Sequence, residues 1–221
     1  MKKNKSVFWI IRKINMHSEK KIIIPQKYLH KYTKAEINEF PIRQFDGTIH
    51  LINSFEKMFE IEAEKFLVSE DIFGFDTETQ PSFKKGKNNP PSLLQLATRE
   101  VVFIFQISKV FFPEILQTIL SDPDRIKAGV AVRDDIIGLK RLSDFTDAGF
   151  VDIGEISKTI GLQTNGLRNL AVNLLGFRIS KSCQKSNWGK KRLSKQQIAY
   201  AATDAWVSRL LLIQMKRLNF T

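Results

Sequence analysis

Short apolar or alternating stretches, bounded by turn residues, recur through the middle of the chain. Their β-branched and aromatic content favours strands over helices. Between the second and third stretches lies a loop rich in Pro, Gly, Asn and Lys, which are residues that interrupt regular structure. The predicted strands are Gly47–Ile52, Asp71–Thr79, Ser92–Thr98, Val101–Ile107, Ile126–Val132 and Phe150–Ile153.

Apolar positions three and four residues apart predict helices between and after these strands. In Asn165–Leu175 the leucines fall on one face, and Gly176 marks the end of the helix. The last helix has the clearest signal, because Ser194 and Gln197 form a capping box at its start. The other predicted helices are Phe55–Val68, Val110–Leu120 and Asp134–Leu142.

Consecutive strands followed by alternating strands and helices predict a mixed α/β sheet flanked by helices. The 221 residues suffice for one sizeable core, and residues 46–221 are predicted to form it. Residues 1–45 are basic and lack sustained periodicity, so we expect an N-terminal extension that is partly ordered at most. Its apolar run, Val7–Ile11, is too short for a signal peptide, and no run suffices to span a membrane.

The net charge of +12 favours a polyanionic partner, because lysines and arginines gain affinity when phosphates release counterions. A lysine-rich surface that only confers solubility would give the same excess, so charge alone leaves both interpretations open. Cys183 is the only cysteine, which excludes an intrachain disulfide and a zinc site made of several cysteines. This fits a cytoplasmic protein.

Four carboxylates stand at strand ends or within helices among apolar neighbours. Asp76 and Glu78 are two residues apart, so their side chains share one face of a strand, and burying both is costly unless a cation joins them. Asp135 follows an apolar strand, and Asp204 shares a face of the last helix with Tyr200. Taken singly, each aspartate could instead be a cap, a turn residue or a solvated helix residue.

Taken together, these residues lie in segments that resemble the motifs of a known family. Phe75–Thr79 resembles the first motif of the DEDD exonuclease superfamily, Gly129–Asp135 the second and Tyr200–Asp204 the tyrosine-type third. Between them, Ser92–Ala97 is similar to the second core strand of that family. The likeness is greatest to ribonuclease D and to the exonuclease domain of Werner-type helicases, and it extends over residues 49–218.

The resemblance implies a ribonuclease-H-like fold and a two-metal-ion enzyme that removes nucleotides from the 3′ end of DNA or RNA. On that pattern, two Mg²⁺ or Mn²⁺ ions are held by Asp76, Glu78, Asp135 and Asp204. Oxygen-only ligands suit such hard cations independently of the resemblance. Tyr200 would orient the attacking water. The likeness to ribonuclease D favours RNA as the substrate of this chain, and the likeness to the Werner-type domains favours DNA.

Basic residues with an aromatic among them indicate where a nucleic-acid strand could bind. The stretch from Arg178 to Lys195 contains no acidic residue. The predicted substrate-binding residues are Trp188, Lys190, Lys191 and Arg192 in this stretch, and Phe83, Lys84 and Lys85 in the loop after the first motif. A solvated loop anchored by Trp188, and a purely structural Gln95, are the alternatives.

Two further alternatives stay open. Only one of the adjacent Asp134 and Asp135 can face the metal ions, and motif spacing favours Asp135, which leaves Asp134 to cap the helix. The chain could also be a catalytically inactive nucleic-acid-binding module with the same fold. The intact set of four carboxylates and Tyr200 argues against that function, because a site that had lost catalysis has no reason to keep all five.

Overall fold

A mixed six-stranded sheet forms the centre of the fold and confirms the predicted fold class. The computed structural model describes residues 22–60, 63–82 and 89–221. The strands are β1 Thr48–Ile52, β2 Ile72–Thr79, β3 Pro91–Ala97, β4 Val101–Gln106, β5 Ile126–Gly129 and β6 Phe150–Asp152. Their spatial order is β1-β4-β3-β2-β5-β6. β3 pairs antiparallel with β2 and β4, and the other pairs are parallel.

Helices cover both faces of the sheet. They are α1 Lys34–Glu39, α2 Phe55–Glu60, α3 Ala63–Val68, α4 Glu114–Ser121, α5 Val132–Leu139, α6 Ile153–Ile160, α7 Leu167–Leu170 and α8 Lys195–Arg217. A π-helical turn, Ala171–Leu175, continues α7. No helix in the described part of the chain combines the length and the apolar character that a membrane span needs. The cytoplasmic location stays a prediction.

The central strands β2 and β3 are buried on both sides, which explains their nearly continuous apolar sequences. Phe73 and Phe75 of β2 face a core that includes residues of α2 to α5. Leu93 and Ala97 of β3 face the opposite core, which contains the alanines of α8. Because side chains alternate along a strand, Asp76, like the alternate residues on either side of it, lies on the α8 face.

Helix α8 crosses β2 at very short range. A Cβ added at Gly74 would lie 1.8 Å from the carbonyl oxygen of Ala205, so only glycine allows this approach. Small residues on the helix, Ala201 and Ala202, are fully buried along the same contact. The crossing therefore brings Asp204, next to Ala205, against the polar end of β2.

Part of the predicted N-terminal extension is folded, and its residues 1–21 lie outside the described part of the chain. Residues 26–45 contain a 3₁₀ turn and α1, and they pack on the body of the domain. Tyr28 contacts Phe220 edge-on at 5.8 Å between ring centroids, and Asn173 donates a hydrogen bond to the Tyr28 carbonyl at 3.0 Å. Phe45 is buried, and its N–H donates to Thr203 Oγ1 at 3.0 Å. Long-range contacts, not local periodicity, order this segment.

The junction between β5 and α5 also differs from the prediction. The strand was predicted to reach Val132 and the helix to begin at Asp134, but β5 ends at Gly129 and α5 begins at Val132. Ala131, at φ 60°, makes the turn. The carboxylate of Asp152 accepts hydrogen bonds from the N–H groups of Ala131 and Val132, and from the first turn of α6. The predicted capping role of Asp134 is therefore wrong, because Asp152 supplies this cap.

Candidate active site

Three carboxylates meet where α8 crosses β2. One oxygen from each of Asp76, Glu78 and Asp204 lies within 4.8 Å of the others. Asp204 is 6% exposed, and its Oδ1 has no hydrogen-bond partner among the described residues. The Tyr200 hydroxyl donates a hydrogen bond to Asp204, and the backbone N–H of Thr77 donates one to Asp76. These donors do not cancel the repulsion between three close, buried acidic groups, which a bound cation would relieve.

The environment of the cluster raises the pKa of each member. Burial is the main cause for Asp76, and the charges of Asp204 and Asp135 add to it. Burial raises the pKa of Glu78 to about 10 and that of Asp204 to about 7. A divalent cation would reverse this and favour the ionised carboxylates. The oxygen-only donor set and the unpartnered Asp204 Oδ1 fit a hard cation such as Mg²⁺ or Mn²⁺.

Asp135 stands next to this cluster without joining its closest group. It lies in the first turn of α5, on the other face of β2, where Thr77 Oγ1 donates to its Oδ1 at 2.5 Å. Its charge nevertheless reaches the cluster and raises the pKa of both Asp76 and Glu78. The neighbouring Asp134 is exposed. Of the two adjacent aspartates, Asp135 is the one whose charge acts on Asp76 and Glu78.

Tyr200 lies one helical turn before Asp204 on α8, with its ring 5.9 Å from that of Trp188 between centroids. Burial raises the pKa of the Tyr200 hydroxyl well above its usual range, and the charges of Asp204 and Glu78 raise it further. The hydroxyl therefore stays protonated at neutral pH. It can donate a hydrogen bond to a bound water or oxyanion, but it is a poor general base.

The predicted substrate-binding residues lie in different environments. Trp188 is 1% exposed, so its ring packs behind Tyr200 and offers no surface on which a base could stack. This favours the structural alternative for Trp188, whose burial the basic surroundings did not reveal. Lys190, Lys191 and Arg192 are exposed. Three predicted residues lie outside the described part of the chain: Phe83, Lys84 and Lys85.

Tyr200 and Asp204 each contribute to the lining of two cavities. The first has a volume of about 270 Å³ and is lined in part by Arg43, Gln44 and Gln196. The second has a volume of about 230 Å³ and is lined in part by Arg168, Asn169 and Lys181. Sequence reasoning missed Arg43 and Arg168, because only the packing of the N-terminal segment and of α7 brings them to the site.

We expect the metal-free protein to lose stability as the pH rises through about 7. Folding raises the pKa of Asp204 to about 7, so the folded state holds this proton more tightly than the unfolded state. The resulting stabilisation is full below about pH 4, declines as the pH rises and is lost once the pH has passed about 7. Thermal unfolding in EDTA should show this loss relative to Asp204→Asn, which removes the titrating group. Mn²⁺ should raise the wild-type midpoint more at pH 8 than at pH 5. Equal Mn²⁺ effects at both pH values would contradict the assignment.

The chain is similar to known proteins. A family model described as 3′-5′ exonuclease matches residues 53–218. The bifunctional 3′-5′ exonuclease/ATP-dependent helicase WRN of Mus musculus is 29% identical over 194 residues, which cover 83% of this chain and 14% of that protein. The exonuclease mut-7 homolog of Homo sapiens is 26% identical over 189 residues, or 72% of this chain and 21% of that protein.

The fold is shared with a solved structure, that of the Aedes aegypti Nibbler EXO domain, at a TM-score of 0.67 and 23% identity. The match covers 80% of this chain and 91% of that domain. This chain thus spans about a fifth or less of the length of the two curated relatives, yet nearly the whole of an isolated exonuclease domain. The match over residues 53–218 includes the three clustered carboxylates, Asp135 and Tyr200, and the chain belongs to the 3′-5′ exonuclease family.

Proposed function

We propose that this protein is a metal-dependent 3′→5′ exonuclease that hydrolyses the last phosphodiester bond of a DNA or RNA strand. The observation that carries the proposal is the cluster of Asp76, Glu78 and Asp204, whose member Asp204 lines two cavities that both contain cationic side chains. Acidic groups that need a divalent ion, beside basic groups that need an anion, match a phosphodiester substrate.

The residues present could hold two divalent ions, Mg²⁺ or Mn²⁺. Asp76, Glu78 and Asp204 would hold one. Asp135, whose charge reaches both Asp76 and Glu78, would help to hold the second. When bound, such ions supply a reactive hydroxide from water at neutral pH and stabilise the charge that develops on the phosphate.

The protein's own groups would orient the reaction. The protonated Tyr200 hydroxyl donates a hydrogen bond to the attacking water or to a phosphate oxygen, while Trp188 holds its ring in place. The water oxygen forms a new bond to phosphorus as the bond between phosphorus and the 3′ oxygen breaks. The released nucleotide therefore carries a 5′ phosphate, and the shortened strand ends in a 3′ hydroxyl.

An inactive binding module is less consistent with this site. A module that only binds nucleic acid gains nothing from three close carboxylates, because they repel phosphates and destabilise the fold without a cation. Asp204 Oδ1 is also buried without a partner in the described residues, which is costly in a site that never holds a metal ion.

The test is degradation of matched DNA and RNA oligonucleotides that carry a fluorophore at the 3′ end. We expect release of the labelled terminal nucleotide with Mg²⁺ or Mn²⁺ and none with EDTA, and the faster polymer identifies the substrate. If both polymers bind but neither is degraded under any of these metal conditions, the protein is a binding module and not an exonuclease.

Arg43 is predicted to contact a phosphate of the bound strand. Its guanidinium lies 5.6 Å from the centre of the Phe177 ring and lines the cavity next to Tyr200. In Arg43→Gln one phosphate contact is lost, so fewer counterions are released when the strand binds. The slope of log affinity against log salt concentration should therefore become shallower by about 0.7 for a single strand. Fluorescence anisotropy in EDTA with increasing KCl measures this slope.

The matched control is Lys31→Gln, an exposed basic residue of the same N-terminal segment that lines neither cavity. Its slope should stay closer to that of the wild type. Equal slopes for Arg43→Gln and Lys31→Gln would remove Arg43 from the strand-binding surface.

A further inference from the structure

Gln95, in the middle of β3, is a polar side chain that the exonuclease chemistry described above does not use. It is 0% exposed, and among the described residues neither Oε1 nor Nε2 has a hydrogen-bond partner. Leaving such a group unpaired in a core destabilises the fold, because its hydrogen bonds to water are lost and not replaced. An apolar residue of similar size would avoid that cost, so the presence of a glutamine requires a reason.

The position of Gln95 in the sheet connects it with the carboxylate cluster. Gln95 lies directly opposite Asp76 in the antiparallel pairing of β3 with β2. Directly opposed residues of such a pair have Cβ atoms about 4.5–5.5 Å apart and point to the same face. Leu93 and Ala97, two residues to either side of Gln95, belong to the core under α8, so the Gln95 side chain faces α8 as well.

Other unpartnered polar atoms belong to the same side of the sheet. They are the buried Oδ1 of Asp204, an acceptor, and the indole N–H of Trp188, a donor. Trp188 packs in the same core as Leu93 and Ala97, the neighbours of Gln95 on its face. A glutamine amide carries both a donor and an acceptor, so it can complement either kind of group, directly or through one ordered water.

We propose that Gln95 is a positioning residue for the metal site: once the site holds a cation, its amide N–H donates a hydrogen bond to the Asp76 carboxylate through one ordered water and orients that carboxylate. The inference rests on the proposed metal-dependent function. Groups that hydrogen-bond to metal ligands typically change metal affinity or activity by about 10–100-fold when removed. The buried amide of Gln95 would therefore strengthen metal binding while lowering the stability of the metal-free fold.

The test is to titrate metal-free wild type, Gln95→Met and Gln95→Leu with Mn²⁺ by calorimetry and to follow their thermal unfolding in EDTA. We expect the dissociation constant of Mn²⁺ to rise about 10–100-fold in both variants. Their metal-free unfolding midpoints should equal or exceed that of the wild type, because an unpaired polar group has left the core. Two apolar shapes are compared so that a packing defect in one does not decide the result.

Gln117→Met is the matched control, because Gln117 lies on α4, whose buried residues pack in the core on the other face of the sheet. It should leave Mn²⁺ binding unchanged. Wild-type affinity in both Gln95 variants would overturn the inference and leave the proposed function intact. A lower unfolding midpoint in both would also overturn it, because Gln95 would then support the core. Failure of the wild type itself to bind Mn²⁺ would refute the metal-dependent function and, with it, this role.

Discussion

Replacing Asp76 by asparagine is expected to abolish nucleotide release while making the metal-free protein more stable. Asp76 is a member of the close carboxylate cluster, and the charges of both Asp204 and Asp135 raise its pKa in addition to burial. Removing a group that only hydrogen-bonds to a metal ligand typically lowers metal affinity or activity about 10–100-fold. Removing a ligand itself should have a larger effect, and we expect the rate of nucleotide release to fall by at least about 10³-fold. Removing one of several repelling charges should raise the metal-free unfolding midpoint.

The matched control for Asp76→Asn is Asp134→Asn, which changes an exposed carboxylate next to the site. It should cleave at the wild-type rate. Asp135→Asn should be slow, because Asp135 is the member of this adjacent pair that interacts with the cluster. Initial rates with a 3′-labelled oligonucleotide and unfolding midpoints in EDTA provide both readouts. An Asp76→Asn variant that retains activity would exclude the carboxylate cluster as the catalytic centre.

Replacing Gly74 by alanine is expected to be the most damaging small substitution in the core. The new Cβ would lie 1.8 Å from the Ala205 carbonyl oxygen and 2.9 Å from Arg209 Cβ, so α8 would have to move away from β2. Overpacking against backbone cannot be relieved by a rotamer change, and we expect a loss of at least about 3 kcal/mol in the free energy of unfolding. Denaturant titration measures it.

Helix α8 carries Asp204, so the same movement should weaken the metal site. Mn²⁺ affinity in Gly74→Ala should therefore fall together with stability. Gly166→Ala is the control, since a Cβ there meets nothing within 4 Å. Gly166 precedes α7, where replacing a glycine cap by alanine should cost at most about 1 kcal/mol. Similar losses in the two variants would contradict the close crossing of α8 and β2.

The parts of the site that share one element were predictable from the sequence. Asp76 and Glu78 lie two apart on a strand, and Tyr200 and Asp204 lie four apart on a helix, so each pair shares a face whatever the tertiary structure. How the pairs meet was not predictable in this way. That depends on the contact between Gly74 and Ala205, residues that are far apart in the sequence.

The missed features have the same physical origin. Arg43 reaches the site because its N–H donates to the Arg178 carbonyl at 2.9 Å, and no local pattern encodes this contact. The Asp152 carboxylate accepts hydrogen bonds from the N-terminal N–H groups of both α5 and α6. For this reason α5 begins earlier than predicted, and α6 forms although the sequence pattern did not predict it. Trp188 lies in a basic stretch typical of strand binding, yet its ring is buried behind Tyr200. The local sequence indicates which residues could bind a strand, but tertiary packing determines which of them are exposed to do so.

The most direct measurement compares linear and circular single strands of one sequence, incubated with the protein and Mn²⁺ and resolved at single-nucleotide length. For 5′-labelled linear DNA or RNA we expect a ladder that shortens from the 3′ end one nucleotide at a time, with nucleoside 5′-monophosphates as the small product. The circular strand, which has no 3′ end, should stay intact. Cleavage of the circle, or a linear strand that is bound but never shortened, would contradict a metal-dependent 3′→5′ exonuclease.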